Sequence, residues 1–158
     1  KEQVNNGING IELSLDNYLG NNNALKGGIR NGTNSYTNTT QILTPGNIYH
    51  VCLVFDGSQS SNNNKLKLFL NGTLLSTNYN NNIPSVAPSN LYDLWFGGNS
   101  PIATDAPFDG TIDDIGIWNR ALTEQEIKNI VWLAEMISLD VKDSSSKLKK
   151  NYILPFNY

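Results

Sequence analysis

FDGTIDDIGIWNRALTEQEI, residues 108–127, decides the fold. Its first half reads as a strand over residues 110–119, in which Ile112, Ile115, Ile117 and Trp118 are too apolar for an open surface. Its second half starts a helix. Thr123 and Glu126 have capping-box spacing, Glu124 and Glu126 suit the positive end of a helix dipole, and Ile127, Ile130, Val131 and Ala134 recur every three or four residues. Between the isoleucines stand Asp113 and Asp114, and carboxylates in so apolar a strand need partners.

Upstream the chain is free of helical periodicity. Short alternating or wholly apolar runs near 10–18, 25–31, 39–43, 47–56, 65–71, 73–78 and 91–98 are separated by Gly, Asn, Ser and Pro clusters, an all-β pattern. In GIELSLDNY (10–18), Ile11, Leu13 and Leu15 share one face and Glu12, Ser14 and Asp16 the other, so this strand is half buried. NIYHVCLVFD (47–56) puts Tyr49, Val51, Leu53 and Phe55 on one face and Ile48, Cys52 and Val54 on the other, which predicts a central strand covered on both sides. Asn71-Gly72, between LKLFL and TLLST, predicts a two-residue type I′ hairpin with both residues at positive φ. DGSQSSNNN (56–64) is a polar connection within the same meander.

Composition excludes several functions. A net charge of −3 and only two arginines, Arg30 and Arg120, leave no basic patch to track phosphates, so no nucleic-acid partner is expected. No apolar run is long enough to span a bilayer, and no membrane insertion is expected. The one cysteine, Cys52, lies in an apolar run and reads as a buried, inert thiol. The one histidine, His50, rules out a metal site built on several imidazoles. Asparagine supplies 25 of 158 residues, many in runs between apolar segments, where it favours turns. The chain opens on Lys1 rather than Met, as a processed or trimmed chain does.

YHVCLVFDG, then KLKLFLNGTLL, then LWFGG, then FDGTIDDIGIWNRALTEQEI, is an order of motifs that resembles the laminin-G-like, concanavalin-A-like lectin/glucanase domains. The resemblance covers roughly residues 10–131, and its closing motif is nearly complete. It implies a two-sheet antiparallel jelly-roll sandwich with a short C-terminal helix, in agreement with the strand pattern. Residues 1–137 would form that domain, N-terminally incomplete, and 138–158 a tail or linker. Two departures stand out: Tyr49-His50 replaces a frequent Trp-His, and the family's opening strand has no counterpart before Gly7. The missing neighbour is therefore expected from precursor sequence or another chain, added edge to edge.

The resemblance also implies a structural calcium ion, with Asp113 at the matching ligand position. The alternative is that Asp113 and Asp114 accept hydrogen bonds from backbone N–H groups and Arg120. Catalysis is not expected, because the E-x-D-x-x-E strand of related glucanases is absent and no nucleophile motif accompanies His50. Candidate ligand-binding residues are Tyr92, Trp95, Asn99 and Asp105, since sugars stack on aromatic faces while Asn and Asp bond hydroxyls. In such sandwiches Trp95 and Trp118 would more often be core. The expected function is a non-catalytic carbohydrate-binding or adhesion module of a secreted or cell-surface protein, taking a glycan or a surface protein as partner. The alternative is a structural or protein-interaction module of a surface or virion assembly.

Overall fold

The computed structural model describes residues 10–18, 21–31, 34–89, 94–98 and 108–142. In chain order its elements are β1 (Gly10–Tyr18), β2 (Asn21–Arg30), β3 (Asn34–Ile42), β4 (Val51–Phe55), α1 (Asn62–Lys65), β5 (Leu66–Leu70), β6 (Thr73–Leu74), β7 (Asn78–Tyr79) and α2 (Glu124–Lys142). Two antiparallel sheets result, one ordered β1-β2-β3-β7 and the other β4-β5-β6. The expected sandwich is present.

Register explains which residues face inward. Leu13 pairs with Gly27 and Gly27 with Thr37, so these three share one face of the larger sheet. A Cβ on Gly27 would lie 2.5 Å from Leu53 Cδ1 and 3.2 Å from Leu68 Cδ2, which identifies that face as the interior between the sheets. Leu53 and Leu68 are themselves register partners in β4 and β5. Leu25, Ile29, Leu66 and Leu68 are fully buried there, each contributing roughly 1.5–3 kcal/mol of transfer free energy.

The other face of the smaller sheet is not left to solvent. Val54, Phe69, Leu122 and Ile127 form a second buried cluster, with Cys52, Ala121 and Ile130 packed against it, so α2 lies on the β4–β5 ladder. That cover accounts for apolar residues on both faces of Val51–Phe55, whereas Ile48, expected on the face of Cys52 and Val54, lies before the strand and is 97% exposed. The start of α2 is a capping box: Glu126 N–H donates to Thr123 Oγ1 at 3.2 Å, and Thr123 N–H donates to Glu126 Oε2 at 2.8 Å. Asn71 (φ 48°) and Gly72 (φ 75°) make the predicted hairpin turn, with Leu70 opposite Thr73.

Several expectations need correction. β4 is central in neither sheet: among the described residues it pairs with β5 alone and forms an edge. Its two apolar faces reflect the cover above and below it rather than neighbours on both sides. Residues 110–119 do not form a strand. No described strand offers that segment a ladder, and Asp114, at φ 49°, interrupts the alternation within it. Residues 94–98 are likewise not strand, and the expected run 73–78 divides into β6 and β7. The polar connection 56–64 carries the one-turn helix α1, and α2 runs from Glu124 to Lys142.

Candidate functional site

Two glycines of the opening stretch are explained locally. A Cβ on Gly110 would meet Phe108 Cε1 at 2.7 Å, and one on Gly116 would meet Trp118 Cζ3 at 2.8 Å. In each case an aromatic ring folds over a glycine two residues away, as side chains on one face of an extended backbone do. Phe108 is held to the preceding loop by its N–H, which donates to Gly97 O at 3.0 Å, while Gly97 turns the chain at φ 74°. The bond ties the backbone just after Trp95 and Phe96 to the start of the 108–119 segment.

Trp95 is 43% exposed, and Leu94, Phe96, Phe108 and Trp118 are also open to solvent. Trp95 and Trp118 are therefore not core residues. Trp95 has the accessibility a stacking platform needs. The other candidates, Tyr92, Asn99 and Asp105, lie outside the described residues, so the structure places only Trp95 of the four.

Asp113 is exposed, and its Oδ1 accepts the N–H of Asp114 at 2.9 Å. Asp114 takes the left-handed conformation that Asp and Asn tolerate better than other non-glycine residues. The adjacent aspartates thus sit at a local backbone turn, on solvent. Arg120 does not reach them. It makes two hydrogen bonds to Glu126, NH2 to Oε1 at 2.6 Å and NH1 to Oε2 at 3.0 Å. Among the described residues no group of three or more His, Cys, Asp or Glu gathers around one point.

The outer face of the larger sheet carries an ionic cluster that the sequence reading did not anticipate. Lys26, 3% exposed, lies 3.1 Å from Asp16 Oδ2 and 3.6 Å from Glu12 Oε1. Glu12 also accepts from Arg30 NH2 at 2.9 Å and from Ser14 Oγ at 2.7 Å. The E-L-S-L-D alternation that puts Glu12, Ser14 and Asp16 on one face was the available signal. The depth of Lys26 was not, because a lysine in a strand normally reads as solvent-facing.

The groups best suited to chemistry are quiet. His50 is half-buried, and burial lowers its pKa, while its backbone is tied to Asn71. Burial pushes the Cys52 thiol up, away from the reactive thiolate. Glu12, Asp16 and Glu126 are engaged by cations.

No curated protein matches the chain. A solved structure, the 2.1 Å crystal structure of an S-layer domain-containing protein (residues 221–444) from Clostridium thermocellum ATCC 27405, is similar at 18% identity and a TM-score of 0.41. The match covers 80% of this chain and 58% of that one. None of the helices in the described residues is long and apolar enough to cross a membrane. The family model Laminin_G_3 matches residues 3–128, and with the two-sheet antiparallel sandwich beneath that match the chain belongs to the concanavalin A-like lectin/glucanases superfamily.

Proposed function

We propose that this chain is a non-catalytic carbohydrate-binding or adhesion module of a secreted or cell-surface protein. The observation that carries the reading is the solvent-open Trp95, two residues before the Gly97 carbonyl that accepts from Phe108 N–H. An indole face presented in this way suits the apolar face of a sugar ring, and neighbouring amides and carboxylates suit its hydroxyls. Asn99 and Asp105, four and ten residues along the chain from Trp95, supply those groups in sequence. Absence of catalysis is part of the proposal, because every described group discussed above is either ion-paired, half-buried or in solvent without a partner base.

A second reading rests on a different observation. Ile112, Ile115, Ile117 and Trp118 are exposed together in one eight-residue segment, more apolar surface than a sugar site uses. This favours a structural or protein-interaction module of a surface or virion assembly.

A glycan array, run with calcium and with chelator, separates the two. Selective binding that Trp95→Ala abolishes supports the first reading. Silence from a folded chain overturns it and leaves the second. Melting curves of the wild type and Asp113→Asn, recorded in calcium and in chelator, test the ion: a stabilisation by calcium that the variant loses places it at Asp113.

A further inference from the structure

Among the described residues the two sheets leave a face of β1 uncovered. Leu13 and Ile11 point to the interior face of the larger sheet, opposite Gly27 and Ile29. Ile29 is fully buried, whereas Ile11 is 56% and Leu13 41% exposed. The cause lies in the smaller sheet. β5 lies against β2 and β3, Leu53 of β4 reaches Gly27 of β2, and the described ladder stops at β4. One more strand beyond β4 would lie over β1 and cover Ile11 and Leu13. The open edge of β4 and the uncovered face of β1 are thus two walls of one slot.

The chain also carries a segment with the chemistry to fill such a slot. Residues 111–118 are in no ladder and expose Ile112, Ile115, Ile117 and Trp118. Their only hydrogen bond among the described residues is the local one from Asp114 N–H to Asp113. Strict alternation would place Ile112 and Ile115 on opposite faces. In a ladder, the left-handed Asp114 between them would serve as the extra residue of a bulge and bring Ile112, Ile115 and Ile117 to one face, with Trp118, which lies over Gly116, on the other. A strand apolar on both faces suits a position between β1 on one side and the α2 layer on the other.

We propose that this slot is filled by residues 111–118 of a second copy of the chain, added as a strand to the edge of β4. In the structure a chain's own segment lies outside its own slot and in solvent. Every copy carries both the unpaired segment and the slot, so reciprocal exchange about a two-fold axis satisfies both at once. The edge residues of β4 (Val51, Cys52, Leu53, Val54 and Phe55) are uncharged. Adding the segment there keeps Asp113 and Asp114 clear of like charges, whereas addition along the outer edge of β1 would set them beside Glu12 and Asp16. The inference is independent of sugar recognition: a glycan array that stays silent leaves it untouched.

The test is light scattering after size-exclusion chromatography of residues 1–158 at micromolar concentration. The expected mass is twice that of the chain. Ile117→Lys, at an exposed position, is expected to weaken the dimer at least tenfold, whereas Val86→Ser, removing an exposed apolar side chain outside β1, β4 and α2, leaves it intact. A monomer, or a dimer indifferent to Ile117→Lys, overturns the proposal. Amide exchange on the wild type decides the matter if the variant does not fold. Protection of 111–118 and of β4 that falls on dilution supports exchange between copies. Protection unchanged by dilution, as from closure within one chain, overturns it, and so does absence of protection.

Discussion

Asn71 and His50 hold each other by two backbone-directed hydrogen bonds. Asn71 N–H donates to His50 O at 2.8 Å, and His50 N–H donates to Asn71 Oδ1 at 2.9 Å. The turn residue of the β5–β6 hairpin is thereby tied to the entry of β4, and the turn fixes the register of the smaller sheet. Gly72, next in the chain, has φ 75°, and a Cβ there would touch Lys128 Cγ on α2 at 3.4 Å. Gly72→Val should therefore cost about 2 kcal/mol or more, from a β-branched residue in the left-handed region. Denaturant titration checks this: the midpoint should fall while the slope stays constant, and an unchanged midpoint refutes the steric account.

Gly57 follows Asp56 of the VFDG turn for a different reason. A Cβ on Gly57 would collide with the Ser85 carbonyl oxygen and come within 2.6 Å of Ser85 C. The obstacle is backbone, which cannot rotate away as a side chain can. Asp56 meanwhile fixes the turn by accepting from Ser58 N–H at 3.1 Å and Gln59 Nε2 at 2.8 Å. Gly57→Ala should cost roughly 1–3 kcal/mol by overpacking, although alanine adds only one methyl group. A melting temperature equal to wild type would show that the 85 loop moves freely.

Much of this was legible before any coordinates. The Asn71-Gly72 turn, the Thr123–Glu126 box and, within the expected 48–55, the two apolar faces of Val51–Phe55 follow from local rules of φ, spacing and alternation, while Ile48 stands exposed. The status of 110–119 was not legible, because a ladder needs a partner and no local pattern supplies one. The same limit hid the edge position of β4, since an alternating pattern reports cover above and below but says nothing about the sides. Of the candidate ligand-binding residues, Trp95 follows from residue type alone, and its exposure is a property of the fold. The burial of Lys26 was missed because it depends on what lies across the sheet from Glu12 and Asp16.

Thr37 offers a case in which removing a polar atom should help. It is fully buried on the interior face, beside Gly27, and its Oγ1 has no hydrogen-bond partner among the described residues. A buried hydroxyl without a partner forfeits its bonds to water and recovers nothing. Thr37→Val keeps the shape and the β-branching, so it should stabilise the fold by about 1 kcal/mol. A rise in the denaturation midpoint is the expected result, and a fall would mean that the hydroxyl is satisfied after all.

The start of α2 should show a defined acid response. Glu126 receives Arg120 on both carboxylate oxygens and the Thr123 N–H and hydroxyl as well. Led by the Arg120 hydrogen bonds, these contacts lower its pKa from the ordinary 4.5 to about 2. A carboxylate whose folded value lies below its unfolded one binds fewer protons folded, so its stabilisation is complete above about 4.5 and is lost as pH falls through about 2. Glu126→Gln retains the cap geometry but removes the charge. The stability difference between wild type and Glu126→Gln should therefore be constant from neutral pH to about 5, then shrink steadily towards pH 2. Arg120 and Glu126 are both well exposed, so salt should narrow the difference at neutral pH. Denaturation midpoints of the two proteins across that range measure it. A difference that stays constant down to pH 2 would show that the Arg120–Glu126 pair does not hold the carboxylate charged.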